Sequence, residues 1–515
     1  MTSTFHSIET ARRSLSTTTT SLSTVSHNIA NANTAGYSRQ VVHTSATNPL
    51  EAVAFRNSTN SGQLGTGVEA TSIQRVRSMF LDTQYRNENA SQGSWSVKAD
   101  SLSKLETIIN EPSDTGLQTV LNNYWTAWSS LSNDPQSTTN QKVLKENTLA
   151  LTDAMNQMSK QLDTMSTDLT SSVGLDVSTA NSLLSTVGTL NQNIMKIEAQ
   201  GNDANDLRDQ RDYAIDQLSK YGNVSVTELS TGYQVSFGGQ QVVTGGTVTA
   251  LTAAGVQTAY ENGTLNGGEI HGLLYSRDQY VAEQKSQLDQ LANTIANGAV
   301  TVTLPAGSVI PEGTVLNGVT YSDAAGNRTL TSDLTTTVNG INGLHKLGYN
   351  SSGEAGGDFF SSSDGSGTIT AGNITLNTTL QSDPSKIAFS LRTTGTGTNE
   401  KVVAGNGGLA LIMSELKGNK MDFGGSTPTT IQDYFNGVVG QLAVDSQEAT
   451  RQSTNAQTLT DQVDSSRQSI SGVSLDEEMT DLLKFQHAYT AASRFMTTMD
   501  QMLDRLINST GRVGL

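Results

Sequence analysis

Apolar residues recur every seven positions in a helix predicted at each end of the chain. Residues 474–508 contain no proline or glycine, and residues 5–33 read as a second such helix. The C-terminal rows include Leu475, Leu482, Phe485, Tyr489, Met496, Met499, Leu503 and Leu506, and the N-terminal row is Ile8, Leu15, Leu22 and Ile29. A helix with one apolar seam needs a partner for that seam. The pattern predicts that the two ends pack on each other, and packing on copies from neighbouring subunits is an equal alternative.

Helical periodicity also dominates the stretches next to the two ends. Residues 34–222 and 399–471 predict a helical bundle domain, with short β-like pieces near 37–76 that indicate a hairpin connector. The longest helical reach, about 138–200, contains no proline and two glycines. A helix of that length would span about 90 Å, so we expect a break near Gly174.

The middle of the chain changes character at residue 223. Short alternating runs of Val and Thr, separated by glycines, predict β-rich outer modules over 223–398. Within them we expect bundle helices near 270–297 and 334–346, and a β insertion at 299–333 that cuts one helix open. The predicted fold is α+β, elongated and multidomain. Its terminal helices, 1–33 and 472–515, pair as a coiled coil, and its β modules are inserted in the centre of the chain.

Composition restricts the chemistry available to the chain. The sequence has no cysteine, which excludes disulfides, thiolate metal sites and cysteine nucleophiles. A net charge of −17 argues against binding nucleic acid or an anionic membrane. The N-terminus lacks the apolar core of a cleaved signal peptide, and no apolar run is long enough to cross a bilayer. If the protein leaves the cell, we expect a route that needs no cleaved signal.

Motifs that would carry catalysis are missing. No two of the six histidines have HExxH spacing, and the sequence has no nucleophile elbow, P-loop or dinucleotide fingerprint. We therefore predict no enzyme activity, no catalytic or metal-binding residues and no cofactor. The acidic run 476–478 opens the terminal helix, where carboxylates stabilise the helix dipole, and we interpret it in that way.

Residues 21–40 (SLSTVSHNIANANTAGYSRQ) resemble the N-terminal signature of bacterial flagellar axial proteins, the rod, hook and hook-associated proteins. The matching signature positions are Asn28, Asn31, Thr34, Gly36 and Tyr37. Three further stretches, 207–212 (LRDQRD), 342–360 and 469–508, resemble the same family. The C-terminal stretch together with the two internal ones is the more specific part, and it indicates the hook-associated proteins of the hook–filament junction.

The resemblance implies a structural component of the flagellum that joins hook to filament and is required for filament assembly. It implies type III export without a cleaved signal, an extracellular location at the hook–filament junction, and terminal helices that line the axial tube. The implied partners are further copies of the chain, the hook protein, the adjacent hook-associated junction protein, and an export chaperone at the C-terminal helix. Nucleic acid, membrane and cofactors are not among them.

Three alternatives stay open from the sequence. The chain could be another axial protein of the hook or rod type, or a surface-displayed adhesin or enzyme with its activity in the β modules. It could also be an intracellular coiled-coil scaffold. The leading interpretation adds one physical expectation, that the terminal helices of an isolated monomer are exposed or mobile.

Overall fold

The computed structural model describes residues 4–49, 65–111, 113, 116–229, 232–395, 400–424 and 427–509. The chain forms two compact units, each built from separate stretches of sequence. The first unit comprises Met1–Trp95, Gly174–Gly272 and Ser453–Leu515, and the second comprises Ser96–Val173 and Leu273–Gln452. Both predicted terminal helices therefore lie in the same unit.

Long helices and short antiparallel strands make up the described residues. The helices are α1 (Thr4–Asn31), α2 (Met79–Ile109), α3 (Leu117–Asn133), α4 (Thr138–Glu198), α5 (Asn205–Tyr221), α6 (Ala253–Glu261), α7 (Glu269–Tyr275), α8 (Ala282–Asn297), α9 (Gly340–His345), α10 (Thr378–Ser382), α11 (Gly408–Glu415), α12 (Ile431–Ser471) and α13 (Leu475–Ser509). The strands are β1 (Gln40–Ala46), β2 (Val68–Arg75), β3 (Val224–Leu229), β4 (Gly232–Phe237), β5 (Gln240–Thr244), β6 (Thr247–Val248), β7 (Ala299–Leu304), β8 (Val315–Leu316), β9 (Val319–Thr320), β10 (Leu334–Asn339), β11 (Phe360–Ser362), β12 (Ile374–Leu376), β13 (Thr393–Thr394) and β14 (Lys401–Val402). None of the helices in this described part of the chain is long and apolar enough to cross a membrane.

In the first unit, α1 packs lengthwise against α13, and the antiparallel hairpin β1–β2 lies on α1. Asn28 near the end of α1 contacts Glu478 near the start of α13, so the two helices run antiparallel. Strands β3 to β6 form a four-stranded antiparallel sheet in sequence order. The predicted pairing of the N- and C-terminal helices and the predicted hairpin connector are both confirmed.

The predicted break in the longest helix is wrong, because α4 continues from Thr138 to Glu198. Gly174 is exposed, and a Cβ built on it would meet no atom within 4 Å. A single glycine in a helix interior costs about 1 kcal/mol relative to alanine. The buried residues Val173 and Val177 on either side supply more than that through packing, so the helix does not need to stop.

In the second unit, aromatic rings pack between α3 and the segment that leads into β11. Trp128 lies 5.4 Å from Phe359, and Phe359 lies 5.0 Å from Phe360, measured between ring centroids. His345 at the end of α9 joins this cluster at 5.3 Å from Phe359 and is fully buried. These side chains form part of the core of the second unit.

The predicted helix at 334–346 is half wrong. Residues 334–339 form strand β10, which pairs antiparallel with β7 in full register, and only Gly340–His345 is helical. The cause is the run of β-branched residues 335–338, in which Thr336 and Val338 point into the core while their neighbours stay exposed. The β insertion predicted for 299–333 therefore extends to Asn339. The predicted helix near 270–297 is confirmed as α7 and α8, joined by a π-helical turn, Ser276–Val281.

Candidate assembly site at the paired chain ends

The turn that follows α1 is organised by the amide of Asn28, which is 1% exposed. Its oxygen accepts hydrogen bonds from the Tyr37 hydroxyl at 2.8 Å and the Gln40 backbone N–H at 3.0 Å. Its nitrogen donates to the Gln40 carbonyl at 2.9 Å and to Glu478 Oε2 at 3.0 Å. All four hydrogen-bonding positions of the amide are filled, so the side chain is held in one orientation.

Three further signature residues shape the same turn. Asn31 donates from its side chain to the His27 carbonyl at 3.0 Å, and Thr34 donates to Asn31 Oδ1 at 3.2 Å. Gly36 has φ +79°, in the left-handed region that favours glycine. A Cβ on Gly36 would lie 2.7 Å from the Cβ of Tyr213, so the position also needs the absence of a side chain.

Tyr37 packs against His27, and His27 connects α1 to α5. The Tyr37 ring lies edge-on to His27, with centroids 5.6 Å apart, and His27 Nε2 is 3.2 Å from Asp206 Oδ1. Burial raises the pKa of the Tyr37 hydroxyl, and the nearby carboxylates of Asp206, Asp209 and Glu478 raise it further. The hydroxyl therefore stays protonated and serves as a donor to Asn28.

Arg39 connects the turn to the start of α13. Its Nε donates to Glu478 Oε1 at 2.8 Å, and its Nη1 donates to Glu477 Oε2 at 2.9 Å. Its backbone N–H donates to the Ser471 carbonyl at the end of α12 at 2.8 Å. Glu478 lies in the first turn of α13, as the helix-dipole interpretation of the run 476–478 requires, but it is 1% exposed and also paired with Arg39 and Asn28, which that interpretation did not include. Asp476 is exposed and still fits that interpretation.

Beneath the turn lies a buried network of arginines and aspartates that sequence reasoning did not predict. Its ion pairs include Arg75 with Asp209 and Asp212, Arg77 with Asp82, Arg86 with Asp216, and Arg467 with Asp216, at 2.5–2.9 Å. Burial opposes ionisation of Asp212, but Arg77, Arg75 and Arg86 together lower its pKa. Asp209, Asp212 and Asp216 recur at i, i+3 and i+7 along α5, and this spacing was the available signal.

The predicted seam residues lie along the α1–α13 pair, but they do not form its buried centre. On α1 the buried positions are smaller residues, among them Ala11, Thr18, Ser21 and Val25. The predicted row Ile8, Leu15, Leu22 and Ile29 is half-buried, as are Leu482, Phe485, Met496, Met499 and Leu503 on α13. Leu475, Tyr489 and Leu506 are 51%, 43% and 57% exposed.

The burial of small hydroxyl residues on α1 is explained by hydrogen bonds within the helix. Thr18 donates its hydroxyl to the Ser14 carbonyl at 2.6 Å, and Ser21 donates to the Thr17 carbonyl at 3.1 Å. Hydroxyls satisfied within their own helix can be buried without a partner on the other helix. The larger apolar residues of α1 and α13 are left at the edges of the contact, where part of their surface faces solvent.

Within the described residues, no group of three or more His, Asp or Glu side chains is placed to hold a metal ion. A polar cavity of about 250 Å³ lies beside the signature turn, lined by residues 32–38 and 471–473 together with Arg77, Asp216 and Arg467. Both arginines are paired with aspartates there. The geometry of the site is that of a joint between helices.

Comparison with protein families matches three parts of the chain. Residues 102–302 match the flagellar hook-associated protein FlgK helical domain. Residues 8–37 match the flagella basal body rod protein family, and residues 465–509 match the flagellar basal body rod FlgEFG protein C-terminal family. The two terminal matches coincide with α1 and its signature turn and with α13 and the joint before it.

Relatives with curated descriptions match over nearly the full length. Flagellar hook-associated protein 1 of Bacillus subtilis (strain 168) is 35% identical over 527 aligned residues, with 99% of each chain covered. Flagellar hook-associated protein 1 of Escherichia coli (strain K12) is 24% identical, covering 97% of this chain and 99% of the relative.

A solved structure also resembles the fold. The flagellar hook junction protein FlgK from Burkholderia pseudomallei superimposes with a TM-score of 0.53 at 14% sequence identity. The match covers 76% of this chain and 100% of that one.

Proposed function

This chain belongs to the flagellar hook-associated protein 1 family, and from that premise we propose how its two ends perform their function. The protein is a structural component of the bacterial flagellum, outside the cell, at the junction of hook and filament. We propose that α1 and α13 are the assembly elements. Each pair would bury the apolar residues at its edges against the pairs of neighbouring subunits.

One observation carries this proposal. Although α13 has a partner helix, large apolar residues along it remain exposed, among them Leu475, Met479, Leu483, Tyr489, Phe495, Met502 and Leu506. Monomeric proteins rarely leave a long apolar strip open to water, and such strips mark interaction sites. Complete burial of a Leu or Phe side chain contributes about 1.5–3 kcal/mol, so a strip of this length can drive association.

The seam residues take their roles from this arrangement. We propose that Ile8, Leu15, Leu22 and Ile29 on α1 act with Leu475, Leu482, Phe485, Tyr489, Met496, Met499, Leu503 and Leu506 on α13. The half-buried members would hold the pair together and contact the next subunit as well. The signature residues Asn28, Asn31, Thr34, Gly36 and Tyr37 would hold the turn that brings the hairpin and α5 against the pair.

The finer partners are part of the same proposal. We expect the hook protein on one side, the adjacent hook-associated junction protein on the other, and an export chaperone on α13 before assembly. A chaperone is supported by the exposed strip on α13, because that surface needs cover in the cell. Type III export, which the family resemblance implies, is part of the same proposal.

We also propose that the protein has no enzyme activity. The support is in the sequence, which has no cysteine and no zinc, P-loop or nucleophile-elbow pattern. A rival function, an adhesin or enzyme in residues 223–268 or 299–398, predicts that deleting those modules removes an activity and leaves filament attachment intact.

Electron microscopy of a strain that lacks this chain tests the proposed function. We expect hooks without filaments, and filaments restored when the chain is supplied from a plasmid. Normal filaments in the deletion strain would contradict the proposal. Hooks that are themselves missing would instead favour another axial protein of the hook or rod type.

A further inference from the structure

We propose that Glu478 is a positioning residue that fixes the register between α13 and α1, with Asn28 and Arg39 acting as its receptor. The inference deepens the proposed function, since it rests on the paired helices being the assembly element. It gives the N-terminal signature a physical task, which is to select one position of the C-terminal helix among several that the apolar pattern allows.

Apolar packing alone specifies the register of this pair weakly. Leu482, Tyr489, Met496 and Leu503 repeat every seven residues along α13, and Ala11, Thr18 and Val25 do so along α1. A slip of one heptad moves α13 by about 10 Å and again places apolar side chains against small ones. In heptad pairs, a single buried polar contact is what distinguishes one register from the next.

Glu478 makes a buried polar contact of the kind that can distinguish one register from the next. Both carboxylate oxygens are used, Oε1 by Arg39 Nε at 2.8 Å and Oε2 by Asn28 Nδ2 at 3.0 Å, and the side chain is 1% exposed. After a slip of one heptad, Glu478 would lie near Ser21, whose hydroxyl donates to the Thr17 carbonyl. A buried carboxylate without its donors is strongly unfavourable, so the slipped register is rejected.

The receptor is also held by contacts that do not involve Glu478. Tyr37 and the Gln40 backbone N–H both donate to the oxygen of Asn28, so the amide nitrogen must face outwards toward α13. Arg39 is held by its own backbone hydrogen bond to the Ser471 carbonyl. A donor oriented in this way, as the amide of Asn28 is, binds a carboxylate with little further ordering cost.

A helix-dipole role for the acidic run is the competing explanation, and Asp476 separates the two. Asp476 lies in the same first turn as Glu478 and carries the same charge, but it is exposed. If only the dipole matters, neutralising either residue should have a similar effect. If the hydrogen bonds from Asn28 and Arg39 set the register, only neutralising Glu478 should change it.

Because the chain has no cysteine, two introduced cysteines can be spin-labelled without any background. We would label Ser16→Cys on α1 and Thr490→Cys on α13, both exposed positions, and measure the distance distribution in the dilute full-length monomer. We expect one narrow distribution in the parent and in Asp476→Asn. In Glu478→Gln we expect broadening and a second population at longer distance, produced by a slip of one heptad, about 10 Å along the helix axis.

Asn28→Asp provides a second variant, because it sets a carboxylate against Glu478 and should produce the same displacement. An unchanged narrow distribution in both Glu478→Gln and Asn28→Asp would overturn the inference. Equal broadening in Asp476→Asn would also overturn it, in favour of the dipole. The measurement precedes assembly, so its failure would leave the electron-microscopy test of the proposed function untouched.

Discussion

Single side chains in this protein are fixed by the completeness of their polar contacts. Asn28 fills all four of its hydrogen-bonding positions, and Glu478 uses both carboxylate oxygens. In the second unit, His345 accepts at Nε2 from the Ala388 backbone N–H at 2.9 Å. Its Nδ1 lies 2.7 Å from the Gly357 carbonyl and so carries the proton. Each of these buried groups is held in one geometry by its hydrogen bonds.

Gly36→Ala should destabilise the first unit by about 2–4 kcal/mol, since it combines a left-handed backbone with a Cβ 2.7 Å from Tyr213 Cβ. Gly201→Ala is the matched control, with φ +83° and no atom within 4 Å of the added Cβ. The control isolates backbone strain and should cost about 1–2 kcal/mol. Calorimetric unfolding of the full chain measures both, and equal losses would show that the Tyr213 contact is unimportant.

The second unit should lose stability as the pH falls from 6.5 to 4. Burial lowers the pKa of His345 to about 4, whereas an unfolded histidine titrates near 6.5. Between those values the unfolded state binds more protons, so His345 contributes stability that is complete above pH 6.5 and falls by about 3 kcal/mol on reaching pH 4. Urea unfolding followed by tryptophan fluorescence in a Trp95→Phe background measures this, because the two remaining tryptophans, Trp125 and Trp128, lie in the same unit as His345.

His345→Gln supplies the comparison for that pH dependence. The variant should be less stable at pH 7 but should lose less stability on acidification, because the titrating group is gone. His487→Gln, on α13 in the first unit, should leave the pH dependence of the second unit unchanged. A pH profile that is identical in the parent and in His345→Gln would contradict the assignment.

Helices in this chain are held by packing more than by local propensity, and α4 demonstrates it. The helix passes through Gly174 without interruption over 61 residues. The buried row Phe435, Leu442 and Ala449 keeps α12 continuous in the same manner. Replacing a helix glycine by alanine should therefore raise the stability at an exposed position and lower it at a tightly packed one.

Gly174→Ala should stabilise the chain by about 0.5–1 kcal/mol, because alanine is the better helix former and the added methyl meets no neighbour. Gly188→Ala on the same helix should destabilise it, since the new Cβ would lie 2.4 Å from Val248 Cγ2. Thermal unfolding of the two variants tests the pair. A loss of stability in Gly174→Ala would mean that α4 needs flexibility at that position.

On α13, Tyr489→Gln and Leu506→Gln should change the stability of the monomer by less than about 0.5 kcal/mol, because both side chains are largely exposed. The same pair should abolish filament attachment if the strip is an assembly surface. Thr490→Gln is the control on an exposed polar position and should attach filaments normally. Normal filament attachment in the Tyr489 and Leu506 variants would show that these two residues are not part of the assembly surface.

The helical parts of this architecture were predictable because their apolar period is regular. The terminal helices, the hairpin connector and the row along α12 all follow from spacing. Strand β10 was missed because Leu334 and Val338 also fit a helical period, and only pairing with β7 decides between the two. The break expected at Gly174 failed because packing outweighs one glycine.

The site itself was predictable in part. A resemblance in sequence identified Asn28, Gly36 and Tyr37, but it did not say what they touch. The contact of Asn28 with Glu478 joins residues 450 positions apart, and no local pattern reveals such a pair. The buried Arg–Asp network is equally non-local, because Arg467 and Arg77 reach the aspartates of α5 from distant segments.

For the protein in its assembly, the property that we propose as essential is that the paired chain ends leave apolar surface exposed in a single copy. The contact between α1 and α13 includes the buried pair of Asn28 and Glu478, while the larger apolar residues of both helices stay partly exposed. A surface of this kind is suited to a structural adaptor, which must stay separate before assembly and become stable within it.

Hydrogen exchange along residues 475–509 tests this most directly, measured once in the dilute monomer and once in isolated hook–filament junctions. We predict only partial protection in the monomer, where α13 is paired with α1 alone, and stronger protection in the junction, with the largest gain around Leu482, Tyr489 and Met496. Strong protection of both terminal helices in the dilute monomer, with no further gain in the junction, would contradict the account.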